Sequence, residues 1–100
     1  MTIELFPDRA PLAELCRRHH IRRLSLFGST LKGTARRDSD IDLLVEFERG
    51  YAPGLIALAG IEAEFSSLLN GQRVDLRTPN DLSALFRSEV LRTADLQYAA

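Results

Sequence analysis

The chain has 100 residues, 45% hydrophobic and 27% charged, the composition of one folded domain with a single core rather than of a disordered segment. Thirteen basic residues face fourteen acidic ones for a formal net charge of −1, so nothing in the balance points to broad nucleic-acid binding. The single cysteine, Cys16, excludes an internal disulfide and disfavours a thiolate metal site. Neither a signal-peptide pattern nor an apolar run of roughly 18 residues is present, so a cytoplasmic protein is expected.

Residues 8–19 read as a helix. Asp8 is the cap, Pro11 is tolerated in the first turn, and Leu12, Leu15, Cys16 and His19 recur at helical spacing. Cys16 is therefore expected in the core, and His19-His20 on the C-terminal face of that helix rather than in a metal site. Residues 24–27 read as a strand stopped by Gly28, residues 29–33 as one helical turn, and residues 34–39 as a polar loop. Residues 40–47 make the strongest strand, with Ile41, Leu43, Val45 and Phe47 on one face. Residues 50–54 connect it to a helix over 55–69 whose stripe runs through Leu55, Leu58, Ile61, Phe65, Leu68 and Leu69, with Glu62 as the exception. Asn70-Gly71 stops that helix. Residues 73–77 form a short strand carrying Asp75, and Pro79-Asn80-Asp81 opens a last helical region expected to bury Leu82, Leu85, Phe86, Val90, Leu91 and Ala94. The order αβαβαβα predicts an α/β fold with a three-stranded sheet in one domain over residues 1–100.

Three carboxylates stand out against this frame. Asp40 and Asp42 lie two apart on a strand, so they share a face, and two like charges that close repel unless a cation neutralises them. Asp75 sits mid-strand between Val74 and Leu76, where an unpaired charge is costly. Placed beside the second strand, it joins the pair in an oxygen-only set suited to Mg²⁺ and to two-metal phosphoryl transfer. Taken alone, Asp75 pairs equally well with Arg73 or Arg77. Upstream, Gly28 permits close backbone approach to a ligand, the Ser29 hydroxyl suits a phosphate oxygen, and Lys32, the sole lysine, lies within reach of the same anion. Each feature by itself is an ordinary turn, cap or solvated charge; their conjunction, in this order, marks a catalytic type of site.

The conjunction resembles a known pattern. Gly28-Ser29, ten residues, then Asp40-Ile41-Asp42 matches the GS-x10-DxD signature of the nucleotidyltransferase superfamily that includes polymerase beta and kanamycin nucleotidyltransferase. Within it, RRLSLFGSTLKG, SDIDLLVEF, GQRVDLRT and the tail FRSEVLRTADLQYA are similar to segments of the minimal nucleotidyltransferases, or MNT proteins, the tail to their closing helix. Leu31-Lys32-Gly33 stands where Ala-Arg-Gly is commoner, and the charge is kept. The resemblance implies a mixed sheet and ATP as substrate. It also implies Mg²⁺, with two ions expected, on Asp40, Asp42 and Asp75, and triphosphate binding by Gly28 and Ser29. Asp75 would complete the metal site or act as general base. Such proteins often stand beside a HEPN-domain toxin as its antitoxin, and some transfer AMP to a toxin tyrosine.

A chain this short leaves no room for an acceptor domain, so the acceptor is expected on a partner docking over the open side of the sheet. The competing readings are an antitoxin that neutralises its toxin by binding alone, and transfer to a small molecule. Nucleic acid as acceptor is weaker, for want of a basic stripe or aromatic platform. Tyr51 reads as a surface or anchor residue of its connector, Tyr98 as core or interface, and Arg87 and Arg92 as solvent- or partner-facing.

Overall fold

In the computed structural model, which describes residues 3–33 and 39–100, four strands form one mixed sheet with helices on both faces. In chain order the elements are α1 (Arg9–Arg18), β1 (Ile21–Phe27), the single turn α2 (Ser29–Lys32) and β2 (Ile41–Phe47). There follow α3 (Leu55–Leu68), β3 (Val74–Arg77), a 3-10 turn (Pro79–Asp81), α4 (Ala84–Thr93) and β4 (Asp95–Ala99). The strands lie in the order β3-β2-β1-β4; β1 runs antiparallel to both β2 and β4, and β2 runs parallel to β3. The expected polar loop over 34–39 falls almost wholly outside the described residues.

Local sequence explains most of these boundaries. Asp8 caps α1, its carboxylate accepting from the Ala10 amide at 3.2 Å, and Arg17 and Arg18 close the last turn where basic groups suit the helix dipole. Asn70 and Gly71 adopt positive φ after α3, and the Gly71 amide returns to the Ser66 carbonyl at 2.8 Å. The parity of β2 is as expected. Ile41, Leu43 and Val45 pack with Leu24 and Leu26 of β1 and Val74 and Leu76 of β3, under Leu12, Leu15 and Cys16 of α1 and Ile61 and Phe65 of α3. This is the main core. The opposite parity carries Phe27 and Leu44, covered by Leu82 and Val90 in a second, smaller cluster.

Several expectations are corrected. The sheet has four strands rather than three, because the chain after α4 does not stay helical: Asp95–Ala99 pairs with β1 as β4. Gln97 makes that pairing worthwhile. It is buried, and its side-chain amide donates to the Ile3 carbonyl at 2.9 Å, tying the start of the chain to its end. Leu55 does not join the core but is 86% exposed, since α3 meets the sheet only from Leu58 onward. Of the six residues expected inward from the last helical region, only Leu82 and Val90 are buried; Leu85, Phe86 and Leu91 are exposed because the second apolar cluster needs little cover. Arg87 does not simply face solvent. Its guanidinium donates to the Pro79 carbonyl at 2.6 Å and the Leu82 carbonyl at 2.9 Å, holding the segment that leads from β3 into α4.

Candidate functional site

The site is a consequence of strand parity and register. With Ile41 and Leu43 committed to the main core, Asp42 must point to the opposite face, and the parallel register sets it directly beside Asp75. β1 brings its own end to the same place, since Phe27 is the register partner of Asp42 and Gly28 follows it. Gly28 holds φ +80° and ψ −153°, and a side chain there would collide with the Asp42 carboxylate, its Cβ only 2.9 Å from the aspartate Cγ. Glycine is thus required twice over, by backbone conformation and by the closeness of the carboxylate. Together Phe27, Gly28, Asp42, Asp75, Arg77, Asp81, Leu82, Ser83 and Phe86 line one cavity of about 270 Å³.

Asp40 lies one residue before β2 begins and faces the other way around the sheet edge. It lines a second cavity with Glu62, Arg73 and Asp75, so Asp75 belongs to both. Asp40 meets Arg73 at 3.4 Å, and Asp75 is gripped by Arg77 through two bonds, Nε to Oδ1 at 3.1 Å and Nη2 to Oδ2 at 3.2 Å. Of the two partners that the sequence offered Asp75, the structure selects Arg77. Asp42 has no basic group at ion-pair distance among the described residues. Its carboxyl is pushed above the ordinary aspartate range first by burial, then by the charges of Asp75 and Asp40, with Arg77 opposing.

The donor set is chemically suited to a divalent cation: oxygen ligands only, two of them adjacent in register, with mutual repulsion that a cation relieves. As the side chains stand, no three acidic or imidazole groups converge on one point among the described residues, because Asp40 and Asp75 are turned to their arginines. The groups expected to bind phosphate divide. Gly28 lines the carboxylate cavity; Ser29, half-buried, opens α2, while Lys32 is exposed at the far end of that turn and lines neither cavity.

Sequence reasoning missed several residues here. Glu62, the exception in its helical stripe, accepts the Leu76 amide at 2.7 Å and so satisfies an outward donor of the edge strand β3. Its signal was a charge inside an apolar stripe. Asp81 and Phe86 reach the cavity because Arg87 fixes the preceding loop, and no local pattern announces that. The two histidines are structural, as expected: His19 meets Glu64 at 2.6 Å, and His20 stacks on Tyr51 with ring centroids 3.7 Å apart. Tyr51 is accordingly an anchor of its connector, and Tyr98 packs against the main core. No helix among the described residues is long and apolar enough to cross a membrane.

The chain is also similar to known proteins. The family model of the nucleotidyltransferase domain matches residues 11–95. The chain is 39% identical over 79 residues to the protein adenylyltransferase MntA of Thermococcus cleftensis, covering 79% of this chain and 77% of that protein. A solved chain provisionally assigned as a minimal nucleotidyltransferase superposes with a TM-score of 0.69 at 41% identity, covering 92% of this chain and 94% of the other. A toxin-antitoxin complex crystallised with AMP-PNP superposes with a TM-score of 0.72 at 24% identity over 93% of this chain and 74% of its own, a likeness of fold. Matched by that family model over most of its length and by a relative 39% identical to it, the chain belongs to the nucleotidyltransferase domain family and, within it, to the minimal nucleotidyltransferases.

Proposed function

We propose that this protein is a Mg²⁺-dependent protein adenylyltransferase that moves AMP from ATP onto a hydroxyl, a tyrosine by preference, of a HEPN-domain toxin and thereby acts as its antitoxin. The observation that carries the reading is the register pairing of Asp42 with Asp75 beside Gly28, in one cavity open to solvent. The relatives supply the rest of the context. One is named a protein adenylyltransferase, and a further neighbour of like fold, with a TM-score of 0.63 at 21% identity, is an MNT antitoxin in complex with a tri-AMPylated HEPN toxin from Shewanella oneidensis.

In this reading the described chain acts as one catalytic domain and its residues divide the work. Asp40, Asp42 and Asp75 would hold the Mg²⁺ ions, two in the proposed arrangement. When bound, those ions supply charge neutralisation for the triphosphate and for the departing pyrophosphate. Gly28 lets the phosphates approach the backbone, and Ser29 and Lys32 add a hydroxyl and a positive charge at either end of α2. The acceptor oxygen forms a bond to the α-phosphorus as the bond from that phosphorus to pyrophosphate breaks in line. The hydroxyl proton passes to a base, a role that Asp75 would take if it does not complete the metal site. The acceptor hydroxyl would come from a partner, the part that the AMPylated toxin plays in that complex.

The test is transfer of label. The protein is incubated with ATP labelled on its α-phosphate, Mg²⁺ and a lysate of its own host, beside the Asp40→Ala/Asp42→Ala double variant. A labelled protein band that requires both the metal and the aspartates supports the reading, and its mass identifies the acceptor. A partner that still co-purifies without ever taking label would replace it with neutralisation by binding alone.

A further inference from the structure

We infer that Arg77 is an exchangeable counter-ion of this site, holding Asp75 while no metal is bound and passing to Asp81 when a divalent ion takes Asp75. The inference rests on the proposed metal-binding role of the aspartates and adds to it a residue that governs how readily they accept the ion.

Three observations carry it. Arg77 engages both oxygens of Asp75 with the planar fork of its guanidinium, and Asp75 is the carboxylate that belongs to both cavities. The pair is half open to water, with side-chain exposures of 47% for Arg77 and 32% for Asp75. Such a pair is weakly held, and a doubly charged ion displaces one guanidinium from it readily. A second acceptor is at hand: Arg77 and Asp81 line the same cavity, and the negative charge of Asp81 acts on the guanidinium as that of Asp42 does. Asp81 is prepared for that role. The Thr78 amide and hydroxyl both donate to its Oδ2 at 3.0 Å, which fixes the carboxylate and leaves Oδ1 as an acceptor.

The arrangement answers a physical need. Asp42 and Asp75 stand side by side and repel each other, and a fixed buried cation would satisfy them permanently and exclude the metal. A surface arginine with two carboxylates to choose from neutralises the platform and still yields it. Arg73 is far more exposed and meets Asp40 at 3.4 Å without the paired hydrogen bonds by which Arg77 grips Asp75. The exchange is therefore assigned to Arg77 alone.

The probe is Mn²⁺ titrated into the nucleotide-free full chain, with binding read by the loss of its free electron paramagnetic resonance signal. Arg77→Gln should bind Mn²⁺ about threefold tighter than wild type, the scale of an exposed ion pair. Arg77→Lys, which keeps the charge and loses the fork, should fall between them and serves should the glutamine variant fold poorly. Arg92→Gln, a remote exposed position on α4, should match wild type. Asp81→Asn should weaken binding by a similar factor, and in the Arg77→Gln background it should change nothing, whereas a simple effect of net charge would persist there. Equal or weaker binding by both Arg77 variants, with wild type binding normally, overturns the counter-ion role and leaves the metal site standing. Absence of Mn²⁺ binding in wild type and variants alike overturns the metal site, and this inference with it.

Discussion

Asp42 is the least comfortable residue of the site. Burial and two neighbouring carboxylates raise its proton affinity, and Arg77 only partly offsets them. A carboxyl that holds its proton more tightly in the folded than in the unfolded chain favours folding while protonated. That contribution is complete below the ordinary aspartate value and is lost as pH rises through the folded value. At neutral pH Asp42 therefore costs stability. Asp42→Asn should melt higher than wild type at pH 7 in the presence of a chelator, and the gap should close by about pH 3, where both forms are neutral. Melting curves at the two pH values decide it; a gap independent of pH would mean that repacking, not charge, separates the two proteins. At this scale the sequence was largely readable. The strand parity and the nearby Gly28-Ser29 depend on local order, and the structure places Gly28, Asp42 and Asp75 in one cavity; Asp40, expected on the same face as Asp42, lies before β2 and lines the other cavity instead. The arginine partners were not readable, because which guanidinium reaches which carboxylate depends on side-chain paths around a sheet edge.

Elements that propensity decides were legible, and those that pairing decides were not. α1, β2 and α3 carry their own caps, parity or stop signals, and each lies within a residue or two of its expected bounds. The tail Asp95–Ala99 contains leucine, glutamine and alanine, good helix formers with neither glycine nor proline before them, and reads as more helix. It becomes β4 because β1 offers it an edge and because Gln97 meets the start of the chain, contacts between residues far apart in sequence. The loop before α4 likewise owes its shape to Arg87, whose charged donor serves the Pro79 and Leu82 carbonyls. Removing it leaves those carbonyls to water and frees the segment that carries Asp81 and Leu82. Arg87→Ala should lower stability by about 2 kcal/mol in urea unfolding. It should also speed amide hydrogen exchange over residues 78–83 well beyond that of β2. Uniform acceleration across the sheet would show that Arg87 supports the whole domain rather than this loop.

At the scale of the molecule the two apolar clusters are unequal, and the larger one carries most of the buried side chains. The main core draws on α1, α3 and three strands, and Cys16 lies inside it with no exposed surface. Burial drives its thiol from the ordinary 9.0 up to about 12. The folded protein thus holds this proton longer than the unfolded chain, so the stabilising contribution is intact below about pH 9 and is lost as pH rises toward 12. Cys16→Ala removes that dependence while leaving a small void, at a cost of about 1 kcal/mol at neutral pH. The unfolding free energies of the two proteins should therefore differ at pH 7 and draw together or cross above pH 9. Across the same range a thiol reagent should label native wild type only as fast as the core opens, with a rate that falls as stability rises. Rapid labelling of the native protein at pH 8, without denaturant, would mean that α1 moves away from the sheet on its own and that the large core is not one cooperative unit.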